Sequence, residues 1–141
     1  MSVNKFIKKV IHKWLFSYEY DLQILEGGRI PTQPYKNDAG YDLYVAKNTV
    51  IKAKQMTNVS TGVACKNTIP AWILLTGRSS TLIRYGLIVD DGIIDGDYTG
   101  ELFIEVYNPG NKDFIIYPGM RIGQIIVIPK TFIRFRMKGL S

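Results

Sequence analysis

The stretch GIIDGDYTGEL (residues 92–102) places Asp95, Asp97 and Glu101 around Tyr98, between glycines and with an apolar run on each side. A turn needs glycine and one or two polar residues, and three carboxylates exceed that need. The stretch suits either a solvated hairpin or a site that holds a water molecule against a charged substrate. Three further stretches put polar groups at strand ends or turns: AGYDL (39–43), GRSS (77–80) and GMRIGQ (119–124). Arg78 offers a planar fork of donors, Ser79 and Ser80 offer hydroxyls and backbone N–H groups, and Gln124 adds an amide donor. Singly, each also reads as ordinary structure: GRSS as a capped turn, PGMRIGQ as a hairpin with a surface arginine.

The elements that must position these residues are mostly strands. From residue 21 onward the chain shows short runs rich in Ile, Val, Thr and Tyr, among them YDLYVA, TNVSTGVAC, AWILLTG, ELFIEVYN, RIGQIIVIP and FIRFRMK. GG, KNDAG, DDG, NPGNKD and YPG supply the turns between them. Many short strands at close spacing predict an all-β sandwich or barrel. Residues 3–16 differ: Phe6, Ile7, Val10, Ile11, Trp14 and Leu15 recur at helical spacing, with Lys5, Lys8, Lys9, His12 and Lys13 on the other face. That helix either packs on its own domain or a neighbouring subunit, or docks on a membrane surface or a partner. His12 is the single histidine and lies on the polar face, so it reads as solvated rather than as a base.

The chain has 141 residues, 46% hydrophobic and 21% charged, which suits one folded domain. No apolar run approaches the roughly 20 residues that span a bilayer, and the N-terminus lacks the features of a secretory signal. The lone Cys65 cannot form an intramolecular disulfide and reads as a small core residue, which predicts a reducing, cytoplasmic setting. The formal charge of +6 gathers at the two ends of the chain. No recognition motif accompanies it, so nucleic-acid binding is not expected.

In their order and separations, AGYDL, GRSS, GIIDGDYTGEL and GMRIGQ resemble four of the five motifs of the trimeric dUTPase family, over roughly residues 21–129. The resemblance implies a jelly-roll-like distorted β-barrel at 19–141 following the short N-terminal helix at 1–18. It implies a homotrimer whose sites combine neighbouring chains, and hydrolysis of dUTP to dUMP and pyrophosphate with Mg²⁺. Carried over position by position, Arg78, Ser79, Ser80 and Gln124 hold the phosphates. Asp95 orients and deprotonates the attacking water. Asp42 meets the metal through water, as an outer-shell partner. Tyr98 lies against the deoxyribose and excludes a 2′-hydroxyl, while Asp91, Gly92 and Ile94 line the base. Asp97 and Glu101 are expected to satisfy backbone groups or to pair with basic residues of the turn.

Two departures from the family pattern carry their own expectations. GLIVDDGIID is shorter than the family's base-reading hairpin and offers Asp90 and Asp91, acceptor groups that favour an amino edge over a carbonyl. The family's glycine-rich C-terminal arm has no counterpart in KTFIRFRMKGLS, which reads as one more strand, so slower turnover is expected. These departures keep two alternatives open: a dUTPase-fold binding or regulatory protein with little turnover, and a dCTP-acting enzyme. The segment IEVYN, with Glu105, resembles the catalytic segment of the related dCTP deaminases.

Overall fold

The computed structural model describes residues 2–16, 19–66, 70–131 and 133–139. Its strands are β1 (Leu22–Ile24), β2 (Tyr41–Tyr44), β3 (Thr49–Ile51), β4 (Met56–Cys65), β5 (Ala71–Gly77), β6 (Ile88–Asp90), β7 (Gly92–Ile94), β8 (Gly100–Tyr107), β9 (Phe114–Ile116) and β10 (Arg121–Pro129). Helices α1 (Val3–Phe16) and α2 (Ser79–Tyr85) are the helices among the described residues. Period-two patterning sorts residues to the two faces of a strand. In β8, Leu102, Ile104 and Val106 are buried while Phe103 and Glu105 face outward.

One sheet has the order β1-β4-β8-β6 and the other β2-β10-β5-β7, with β3-β9 as a separate ribbon. Among the described residues all the strand pairings are antiparallel. Leu43, Ile73, Leu75 and Ile125 of one sheet meet Val59, Val63, Leu102 and Ile104 of the other in a single core. Each such side chain contributes about 1.5–3 kcal/mol on burial. Cys65 lies in this core, as its setting in the sequence suggested. Burial pushes its thiol pKa up. The expected all-β class holds, but the sheets form two open layers and not a closed barrel.

Three local features differ from the sequence reading. The segment GLIVDDGIID is not a hairpin. Strand β6 pairs with β8 and β7 pairs with β5, so the chain changes sheets at Asp91. The Thr76 hydroxyl on β5 donates to the Asp91 carboxylate and fixes this corner. GRSS is not only a turn, because it opens α2. Gly86 ends that helix at φ 66°, and its N–H donates to the Leu82 carbonyl at 2.8 Å. The predicted strand FIRFRMK is absent among the described residues. After Lys130 N–H donates to the Pro70 carbonyl, no ladder continues, and Ile133, Phe135 and Met137 are exposed. Its alternation suits a strand, but both sides of β10 are already taken, by β2 and β5.

Candidate active site

A polar cavity of about 500 Å³ opens where β2, α2 and β10 converge. Asp42 on β2 is its anchor. Backbone bonds in both directions with Thr32 hold the residue in place. Its carboxylate accepts from Arg78 Nε at 3.0 Å and from Arg121 Nη1 at 3.2 Å. Arg78 also donates through Nη1 to the Arg121 carbonyl at 3.0 Å. Each guanidinium keeps further N–H donors beyond these contacts. Ser79 and Gln124 line the same space, and Gln124 is steadied by its bond to the Gly77 carbonyl at 3.0 Å. Buried Thr81 ties α2 to β10 through the Ile122 carbonyl at 3.1 Å, which sets the position of Arg78 and Ser79. A planar donor fork, a hydroxyl and an amide in one pocket suit phosphate oxygens.

A second cavity, of about 280 Å³, is lined by Gly92 and Ile94 of β7, Tyr98, and the outward face of β8. Asp95 and Tyr98 close a turn, with the Tyr98 N–H donating to the Asp95 carbonyl at 3.0 Å. The Tyr98 hydroxyl donates to the Glu101 carbonyl at 2.7 Å and brings the ring across Gly100. A Cβ on Gly100 would lie 2.9 Å from that hydroxyl oxygen, and φ there is 149°. Glycine is therefore required for this tyrosine position. The Glu101 carboxylate accepts from the Ser60 hydroxyl at 2.8 Å and the Gly62 N–H at 3.1 Å. It thereby stabilises the β4 irregularity between Ser60 and Ala64, where Gly62 has φ 65°. Satisfying a backbone group is the role expected for Glu101.

The structure thus divides the predicted site residues. Asp42, Arg78, Ser79 and Gln124 share the first cavity, and Gly92, Ile94 and Tyr98 share the second. The two cavities have no lining residue in common. Asp95 is exposed beside Ile94 and lines neither, and Ser80 is half-buried in α2 outside the first cavity. Asp91 spends its carboxylate on Thr76, whereas Asp90 lines the second cavity with Glu105, its partner in register on β8. Arg121, read from sequence as a surface residue, is an addition to the first cavity. Asn108 of IEVYN is committed to structure: its amide donates to the Ile51 and Lys112 carbonyls.

The two antiparallel layers and the arginine–carboxylate cavity define a β-protein with a site shaped for an anion. The dUTPase family model matches residues 26–138, and the chain belongs to that family. It is 32% identical over 102 residues to the deoxyuridine 5'-triphosphate nucleotidohydrolase of Debaryomyces hansenii, covering 72% of this chain and 64% of that one. It is 33% identical over 105 residues to the protein of that name from Paramecium bursaria Chlorella virus 1, covering 74% of each. The chain therefore spans just under two thirds of the yeast relative's length. Among solved structures, the Staphylococcus bacteriophage 80alpha dUTPase with dUPNHPP superposes with a TM-score of 0.79 at 22% identity, over 89% of this chain and 90% of that one. At that identity the likeness speaks for the fold.

Proposed function

We propose that the chain hydrolyses dUTP to dUMP and pyrophosphate with the assistance of Mg²⁺. The observation that carries this reading is the cavity in which Arg78 and Arg121 clasp Asp42 beside Ser79 and Gln124, in a chain of the dUTPase family. The arginines, the Ser79 hydroxyl and the Gln124 amide hold the phosphates. Ser80 supports them from the first turn of α2. Gly92, Ile94 and Tyr98 receive base and sugar, and the Tyr98 ring leaves no room for a 2′-hydroxyl. Asp95 holds the attacking water and takes its proton as that water adds to the α-phosphorus. A trimeric state is typical of the family. In such an assembly the second cavity of one chain meets the first cavity of its neighbour, which accounts for the division seen within a single chain.

Both carboxylate oxygens of Asp42 are held by guanidinium groups, and no cluster of three or more His, Cys, Asp or Glu among the described residues forms a metal cage. Asp38 lines the same cavity. This arrangement fits a Mg²⁺ that arrives on the phosphates and keeps its waters, with Asp42 as an outer-shell acceptor. When bound, the metal supplies neutralisation of the charge that builds on the phosphate oxygens.

A second reading has an observation of its own. Asp90 and Glu105 line the cavity of Tyr98 together with Asn58. Carboxylates accept hydrogen bonds, so they favour the amino group of cytosine over the carbonyl of uracil. One product assay with Mg²⁺ and either dUTP or dCTP tests both readings. Formation of dUMP and pyrophosphate supports the first. Consumption of dCTP alone transfers the reaction to the second. Binding without turnover identifies a nucleotide-binding protein and overturns both.

A further inference from the structure

Residues 3–10 of helix α1 line neither cavity, and their apolar side is open to solvent. Val3, Phe6, Ile7 and Val10 are 73%, 54%, 46% and 37% exposed. Packing of this part of the helix on its own domain, one of the sequence expectations, is therefore not what the structure shows. Ser2 caps the helix: its hydroxyl accepts from the Lys5 N–H at 3.3 Å, and its carbonyl accepts from the Phe6 N–H at 3.0 Å. No acidic residue in the first turn offsets the positive end of the helix dipole.

Charge identifies the occupant. The helix carries four of the chain's 18 Lys and Arg and none of its 12 Asp and Glu. Two thirds of the formal charge of +6 thus resides on α1. At about 100° per residue, Val3, Phe6, Ile7 and Val10 share one side, and the sequence continues that stripe through Ile11, Trp14 and Leu15. Lys8 and Lys13 fall at its two borders, with Lys5 and Lys9 between them on the opposite side. Lysines at the borders of an apolar stripe can extend their ammonium groups to headgroup phosphates while the stripe enters the acyl boundary. A nucleic acid would use the lysines and leave Phe6, Ile7 and Val10 in water. A second protein chain would use the apolar stripe but would have no need of a border free of acidic residues.

We propose that α1 is an interfacial anchor that lies on an anionic lipid bilayer and brings the β-domain to its surface. Neither site assignment nor turnover enters this inference. The test is co-sedimentation of the full chain with vesicles of phosphatidylcholine alone or of phosphatidylcholine with phosphatidylserine, at low salt. Wild type is expected to bind the anionic vesicles at least tenfold more tightly than the neutral ones. Lys8→Gln with Lys9→Gln should weaken that binding about thirtyfold, at about fivefold per lysine. Phe6→Ser should weaken it about tenfold or more through lost apolar insertion. Both variants should keep the thermal unfolding profile of wild type, because Phe6, Lys8 and Lys9 are exposed. Equal binding to neutral vesicles, or no loss in either variant, overturns the proposal. So does a helix-dependent change of mass without lipid, which would make the stripe a contact between copies. Tight binding of duplex DNA that displaces the vesicles overturns it as well.

Discussion

Arg121→Ala tests the proposed phosphate cavity at a residue that the motif resemblance did not assign. The side chain meets Asp42 at 3.2 Å and is 39% exposed. Solvent screening at that exposure limits the pair to less than about 1 kcal/mol of stability. The substitution leaves the other supports in place, because Arg78 keeps its own bond to Asp42 at 3.0 Å and donates to the backbone carbonyl at 121, not to the side chain. Loss of a charge-assisted bond to a phosphate is worth about 1.5–3 kcal/mol, which is about 10- to 150-fold in kcat/KM. The expected result is thus a large kinetic loss with a small structural one. Steady-state dUTP hydrolysis with Mg²⁺, paired with urea unfolding, measures both. Arg121→Lys should recover part of the rate, since it restores the charge without the planar fork. If kcat/KM of Arg121→Ala stays within about twofold of wild type while stability is unchanged, the arginine has no role in substrate binding.

Four further expectations follow from single contacts. Asp95→Asn should abolish turnover while nucleotide affinity by calorimetry and solution mass stay at wild-type values; retained turnover would remove Asp95 as the base. Glu101→Ala should cost about 2 kcal/mol in urea unfolding, because the Gly62 N–H and the Ser60 hydroxyl lose their acceptor, whereas Glu101→Gln should cost little. Gly100→Ala should raise KM for the nucleotide more than it lowers kcat, since its Cβ would push Tyr98 off the Glu101 carbonyl. Burial raises the pKa values of Tyr20 and Cys65, so the folded chain holds both protons more tightly than the unfolded one. Their contribution to stability is therefore complete below the ordinary thiol value of 9.0 and is lost as pH rises through the raised values. Thermal melts that show no decline above about pH 9 would contradict this.

Much of the architecture was readable because burial follows a simple period. Leu102, Ile104 and Val106 alternate with Phe103 and Glu105, and two-sheet packing needs just such strands. The features that escaped depend on partners distant in sequence. Helix α2 has seven residues, too few for a helical repeat to stand out against the strand-like LIRYGL. A capping signal was present in Gly86, and it is the feature that could have revealed the helix. The switch of sheets at Asp91 has no signature in GLIVDDGIID, because it depends on β8 and β5, the separate strands with which β6 and β7 pair.

Arg121 shows why the site itself was only partly legible. Arg121 and Gln124 are three residues apart, and strict alternation would send them to opposite faces of β10. The register against β2 shifts between Arg121 and Gly123. That shift reverses the parity and lets both residues line the cavity around Asp42. A regular strand would therefore bring only one of the two to the cavity. The same logic applies to the pair Asp90 and Asp91. Their types alone made both candidates for the base edge. The crossover turns Asp91 toward Thr76 and leaves Asp90 lining the second cavity beside Glu105, its register partner on β8. Sequence motifs specify which side chains are available to the chemistry. Bulges and sheet crossovers, set by contacts far along the chain, decide which of them face the same space.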